Sequence, residues 1–329
     1  MSGQSHIVRT RFLSGQGLGN QLWVYAAGRG IAEHLGRQHV VAGLDLFKGA
    51  GFLEIDIGKD PDPNAPVTQF NEALFFDPNL KYFSSAYDRR VETLPTRAQI
   101  DGLFQSEKYF YGCIDKLSDW VRPSPELKRR AQKYADVCVL NLRGGEYKRH
   151  ASLILPRSYW EHATARLREL VKADNILIVT DDRAYARAFL PEYDVLDGGV
   201  AECYAALMGA RALVVSNSSF SYFPIRTRAD APLVIAPEHW GRYGHAAKRW
   251  AMPSNYYDGW LYLGADGRIC DPEICRQSAE HDAEYYETEY CVRVPKSIGI
   301  GLPRTRHLPI WLKRPLKKIA ARIAPTRIG

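Results

Sequence analysis

Along the chain, short continuous apolar runs alternate with segments whose apolar residues recur every three or four positions. Val137–Leu142 (VCVLNL), Ile176–Thr180 (ILIVT), Ala212–Ser216 (ALVVS) and Leu233–Ala236 (LVIA) are brief and rich in β-branched residues. Such runs predict strands buried on both faces, as in a parallel sheet. Between them the spacing predicts helices over Arg157–Ala173, Arg183–Leu190 and Glu202–Gly209. Strand and helix in alternation define an α/β domain, here over about residues 135–253. Upstream, a strand near Ile7–Leu13 leads through SGQGLGN into a helix expected to be capped by Asn20. Leu22, Tyr25, Ala26, Ala32 and Leu35 supply its apolar face, and Gly36 ends it.

Proline and charge divide the chain further. GKDPDPNAP (Gly58–Pro66) predicts a loop, and VRPSPELKRRAQKYAD a linker running into a helix, which places a domain boundary near Ser124. The expected partition is a first α/β domain over 1–124, a second Rossmann-like domain over 125–260, and an irregular extension over 261–329.

Composition adjusts this picture in three ways. With 329 residues and 46% apolar content, the chain can bury two substantial cores. The net charge of +7 is concentrated beyond Pro303, where eight basic residues and no acidic one occur; subtracting them leaves −1, so the body gives no reason to expect nucleic acid as a partner. The tail LPIWLKRPLKKIAARIAP spaces Leu312, Leu316, Ile319 and Ile323 as a basic amphipathic helix, which suits peripheral contact with the inner face of the cytoplasmic membrane. No apolar run approaches the ~20 residues that span a bilayer, and no secretory signal opens the chain, so a cytoplasmic protein is expected. Six cysteines without a CxxC pair read as reduced thiols rather than a zinc site or a disulfide framework.

Candidate chemistry gathers at strand ends. In SGQGLGNQ, Gly15 and Gly17 fit a dinucleotide fingerprint, with Asp45 as the later acid, but Asn20 stands where the third glycine belongs. The turn also supplies a helix N-terminus with Gly17, Gly19, Asn20 and Gln21 at its mouth, a site for an anion or for sugar hydroxyls. In the second domain, Arg143 and Glu146 leave one strand, Asp181 and Asp182 a second, and Asn217, Ser218 and Ser219 a third. Ligands of open α/β sheets bind beyond such strand ends, and a guanidinium fork there suits a pyrophosphate. Together these residues point to a nucleotide diphosphate. Salt bridging of Arg143 with Glu146, capping of the following helix by Asp181 and Asp182, and N-capping by Asn217, Ser218 and Ser219 are the structural alternatives. Asp60–Asp62 (DPD) has the Asp-x-Asp form of a metal motif but lies in the proline-rich loop.

Four further stretches occur in the order found in one family. GLGNQLWVYA (Gly17–Ala26), FQSEKYF (Phe104–Phe110), SNSSFSYF (Ser216–Phe223) and VIAPEHW (Val234–Trp240) resemble the GLGNQMFQYA, FQSEKYF, ANSSFSWW and VIAP-x-x-W motifs of the family 11 glycosyltransferases, inverting α-1,2-fucosyltransferases. The resemblance covers about residues 8–260. It implies a GT-B-like α/β fold with two Rossmann-like domains facing across a cleft. It also implies transfer of fucose from GDP-fucose to a glycan acceptor without cofactor or metal.

By the same resemblance Arg143 falls on the donor β-phosphate. The family's H-x-R-R-G-D reads NLRGGE here, with Asn141, Gly144 and Glu146 at the altered positions. A guanine-reading acid would fall at Cys203, beside Glu202. The implied catalytic set is Arg143, Glu146 and Asn20. Gly17, Gly19, Asp181, Asp182, Glu202, Asn217, Ser218, Ser219 and Phe220 are expected around the donor, and Gln105, Glu107 and Lys108 on the acceptor side, with Glu107 a second candidate base. An NAD(P)-dependent oxidoreductase and a non-catalytic nucleotide-sugar or carbohydrate-binding homologue are the alternatives.

Overall fold

The computed structural model describes residues 6–77, 82–239, 256–285 and 293–295. The basic tail and Trp240 lie outside the described residues. Among those described, no helix is long and apolar enough to cross a membrane.

The first half of the chain runs β1 (Ile7–Arg11), α1 (Leu18–His34), β2 (Gln38–Ala42), β3 (Leu53–Ile55), β4 (Thr68–Asn71), β5 (Ala73–Asp77), β6 (Tyr82–Ser85), β7 (Arg97–Asp101), α2 (Leu117–Trp120) and β8 (Val121–Pro123). Four of these strands form a parallel sheet in the order β2-β1-β7-β4. Arginine in its central strand has a specific partner: Arg9 and Arg97 both pair with Asp60, at 2.5 and 2.9 Å. The DPD motif therefore contributes an ion-pair acceptor that neutralises β1 and β7.

The second half continues with α3 (Pro125–Gln132), β9 (Cys138–Leu142), α4 (Arg157–Leu170), β10 (Ile176–Thr180), α5 (Arg183–Phe189), β11 (Asp194–Val195), α6 (Val200–Gly209), β12 (Ala212–Val215), α7 (Ser219–Arg226), β13 (Leu233–Pro237), β14 (Leu261–Leu263), β15 (Ile269–Cys270), α8 (Pro272–Tyr285) and β16 (Arg293–Pro295). Seven of its strands are ordered β11-β10-β9-β12-β13-β14-β15, parallel except for β15. The chain builds outward from β9 in one direction, then returns to build outward from β12 in the other. The topological switch point thus lies between β9 and β12.

The α/β class with parallel sheets expected of the sequence is the observed one. The segment beyond residue 260 departs from expectation, because β14 and β15 extend the second sheet and α8 follows as a 14-residue helix. Among the residues of α8 whose burial is described, only Cys275 and Ala279 are fully buried, too few for an apolar period to be visible.

Two apolar clusters hold the layers. Cys138, Leu140 and Leu142 of β9 join α4 and α5 in one cluster on the outer face of the second sheet. Val139, from the opposite face, belongs to a larger cluster that also takes in Val8 of β1, most of α1, and Tyr222 and Phe223 of α7. Nearly every α1 position from Leu18 to Ala32 is buried, apart from Asn20 and Arg29. A helix apolar all round is enclosed by its neighbours, and α1 is enclosed by its own sheet and by α7 of the other half. The two sheets accordingly share one core.

Two buried titratable groups in the first half have opposite pH signatures. His39, within 3.0 Å of Thr10 Oγ1, is lowered to about 3, first by burial and then by Arg29. Glu72 is raised to about 7 by burial, although it accepts hydrogen bonds from the Leu103 and Phe104 amides and the Tyr109 hydroxyl. A depressed histidine stabilises the fold above its unfolded pKa of 6.5, and that stability is lost as pH falls toward 3. A raised carboxyl does the reverse, adding stability as pH falls from 7 toward 4.5. From pH 7 to 4.5 each contributes about 3 kcal/mol with opposite sign. Acidification over that range should make His39→Gln more stable relative to wild type and Glu72→Gln less stable. Urea midpoints at pH 7 and 4.5 would check this; parallel shifts in both variants would refute it.

Candidate functional site

The ends of β9 and β12 flank the switch point, where ligands of open α/β sheets bind. Arg143 follows β9, and its guanidinium is held from several sides. Nη1 pairs with Asp181 Oδ2 at 2.8 Å, Nη2 lies 3.4 Å from Glu146 Oε1, and the Tyr147 ring stacks at 4.9 Å. Its Nε has no hydrogen-bond partner among the described residues. Glu146 is 72% exposed, so its grip on Nη2 is weak and an incoming anion can displace it.

Asp181 fixes more than the arginine. Its Oδ1 accepts from the Gly144 amide at 3.0 Å, and a Cβ at Gly145, where φ is +24°, would lie 2.2 Å from its Oδ2. The glycines let the backbone wrap around this carboxylate. Asp182, by contrast, caps α5 by accepting from the Tyr185 amide and pairs with Lys148. The adjacent aspartates are thus divided between orienting Arg143 and starting a helix, with neither left as a bare carboxylate.

At the end of β12, Ser218 caps α7 by accepting from the Phe220 amide, and the Asn217 side chain donates to the Leu153 carbonyl at 3.1 Å. Tyr147 joins the two strand ends by donating to the Asn217 carbonyl at 2.8 Å. Sequence reasoning passed over Tyr147; the available signal was an aromatic residue one turn beyond a strand-end arginine. Two buried acceptors at the switch point, Asn141 Oδ1 and Ser216 Oγ, have no partner among the described residues.

The glycine turn meets the start of α7 directly. The helix begins at Leu18 with Gly17 as its N-cap, so Asn20 sits in the first turn and does not cap it. Asn20 Oδ1 instead accepts from Gln105 Nε2 at 2.7 Å and from Ser219 Oγ at 2.8 Å. These bonds fix the orientation of the amide and leave its nitrogen without a partner among the described residues. Gln21, expected beside it, is fully buried, its amide spent on the Leu46 carbonyl and the Lys48 amide.

Gly19 allows the contact between the helices. A Cβ there would meet the Ser219 backbone at 2.6 Å and the Phe220 nitrogen at 2.7 Å, whereas Gly17 has open space around it. Gly19→Ala should cost about 1–3 kcal/mol by forcing α1 from α7, and Gly17→Ala well under half of that. Denaturation midpoints of the two variants would decide, and equal costs would count against the packing account.

The remaining expected residues are tied into the frame. Glu107 is 7% exposed and accepts from Tyr222 Oη at 2.6 Å and Arg226 Nε at 3.2 Å; burial pushes its carboxyl up against the opposing pull of Arg226. It clasps α7 to the first half, away from solvent. Lys108 pairs with Glu280 of α8 at 3.4 Å. Glu202 is held by Tyr134 and Arg130 of the segment around α3. Phe220 packs on Tyr204.

A switch-point crevice lined by a clamped arginine, two helix N-termini and strand-end hydroxyls defines a class of site suited to an anionic, hydroxyl-rich ligand. No family model matches the sequence, and a search of curated proteins finds no match. Among solved structures, the chain is similar to NodZ α-1,6-fucosyltransferase soaked with GDP-fucose, at 12% identity and a TM-score of 0.40 over 68% of this chain and 93% of that one. It is also similar to fucosyltransferase NodZ from Bradyrhizobium (13%, 0.43, over 70% and 94%). A third similar structure is POFUT1 in complex with GDP (12%, 0.45, over 70% and 97%).

Proposed function

We propose that this chain is a glycosyltransferase moving fucose from GDP-fucose to a hydroxyl of a glycan acceptor, with inversion, α-1,2 linkage and no catalytic metal. The observation that carries the reading is that two contacts flank the β9–β12 switch point: Arg143 stacks on Tyr147, which donates to the Asn217 carbonyl, and Asn20 is held by Ser219 at the start of the next helix. The four family-like motifs of the sequence support it.

In this reading the donor pyrophosphate takes the Nη2 edge of Arg143 in place of Glu146, while Asp181 keeps Nη1 fixed. The guanidinium then meets the negative charge that develops on the departing GDP, at an oxocarbenium-like transition state. Asn20 offers its amide N–H groups to the fucose or its phosphate. Glu146, released from Arg143, accepts the proton of the attacking hydroxyl. Glu107 serves as a clasp and takes no part in proton transfer.

Calorimetry of the full chain with GDP-fucose, GDP-mannose and NAD, followed by assays of donor hydrolysis and transfer, tests the proposal. GDP-fucose binding with turnover is the expected result. Binding of NAD alone would replace the reading with an oxidoreductase, and GDP-fucose binding without turnover would replace it with a non-catalytic binding protein.

A further inference from the structure

At the β13–β15 edge of the second sheet, beyond the switch point, three side chains from separate elements converge. Glu238 follows β13, Cys270 ends β15 and Cys275 lies in the first turn of α8. A carboxylate oxygen and the two Sγ atoms all lie within 4.8 Å of one another. Cys275 is buried, and the other two are half-buried. Gly264 keeps the space beside them open: a Cβ there would lie 3.2 Å from Cys270 Sγ and 3.4 Å from Glu238 Oε2.

Tetrahedral zinc, bonded to thiolates at about 2.3 Å and to a carboxylate at about 2.1 Å, sets its donor atoms roughly 3.5–3.8 Å apart. The cluster needs only a small contraction, or none, to meet that geometry. Two thiolates with one carboxylate favour zinc over magnesium or calcium, which prefer oxygen. We propose that Glu238, Cys270 and Cys275 hold a structural zinc ion. The fourth corner is left to water. Binding releases both thiol protons to solvent.

The ion would fasten α8 to the sheet edge. That helix also pairs Arg276 with Asp258 at 3.1 Å and Glu280 with Lys108 at 3.4 Å. Zinc thereby anchors a helix that reaches back to the loop carrying Gln105 and Glu107.

The test is elemental analysis of untagged full-length protein purified without chelator and dialysed against zinc, then buffer. About one zinc per chain is expected. Replacing zinc with cobalt should give thiolate-to-cobalt charge-transfer absorption together with tetrahedral visible bands. Cys275→Ser and Glu238→Gln should each lower zinc retention at least tenfold, and the milder Glu238→Gln covers the case in which the cysteine variant does not fold. Wild-type protein without zinc and with both thiols reactive would overturn the proposal. So would a mass two hydrogens lighter, with Cys270 and Cys275 joined as a disulfide. Donor calorimetry stands apart from these readouts, so failure here leaves the transferase reading untouched.

Discussion

Replacing Arg143 by alanine is expected to lower kcat/KM for GDP-fucose by about 10²–10⁴, equivalent to roughly 3–5 kcal/mol of lost transition-state stabilisation. Such a loss is expected because the nearest candidates for a second cation cannot take over: the neighbouring position is Gly144, and Lys148 is engaged with Asp182. Arg143→Lys should recover only part of the activity, since an ammonium cannot keep Asp181 on one side and a phosphate on the other. Asp181→Asn should share the defect more mildly, because it loosens the guanidinium without removing it. Steady-state kinetics with calorimetry of GDP separates the steps: a kcat loss larger than the loss of GDP affinity is the signature of leaving-group stabilisation. Unchanged turnover in Arg143→Ala would remove the central residue of the proposed mechanism.

Glu107 carries the second large effect, on stability. Its truncation to alanine leaves the buried Tyr222 hydroxyl without its acceptor and takes the carboxylate from Arg226, which among the described residues keeps only the bond from Nη1 to the Asp258 carbonyl. Breaking a buried pair from one side costs about 3–5 kcal/mol, enough to halve or abolish the stability of many domains. Glu107→Gln retains an acceptor for Tyr222 and should lose only about 1–2 kcal/mol. The same variant distinguishes clasp from catalyst: a general base supplies about 10²–10⁴ in rate, whereas loss of a clasp should leave kcat within a few-fold of wild type. Chemical denaturation and saturating-substrate turnover of Glu107→Gln provide both readings.

The parts of the fold most legible in the sequence were strands with a single physical demand. Ile176–Thr180 had to be apolar on both faces, and its bounds agree with the structure. β4 and β7, reading TQFN and RAQID, carry polar residues because one is an edge strand and the other holds an ion pair, so no apolar run announced them. At the site, Arg143 was legible because a charge directly after an apolar strand has few places to go. The partners of Asn20 were not, since Gln105 and Ser219 lie 85 and 199 residues away in sequence. A capping preference is local, and here a distant contact took the oxygen that a cap would have used. The cluster of Glu238, Cys270 and Cys275 was only partly hidden: the two cysteines stand at a C-x4-C spacing, but Glu238 lies 32 residues upstream of Cys270, on a different element.

The contact of Gly19 with the start of α7 has a thermodynamic consequence. Two lobes joined by a flexible linker would melt as two transitions. Here α1 of one lobe and α7 of the other lie in a single apolar cluster, so parting the lobes at this contact would expose both. The chain should therefore lose both sheets in one cooperative event, with calorimetric and van't Hoff enthalpies in agreement.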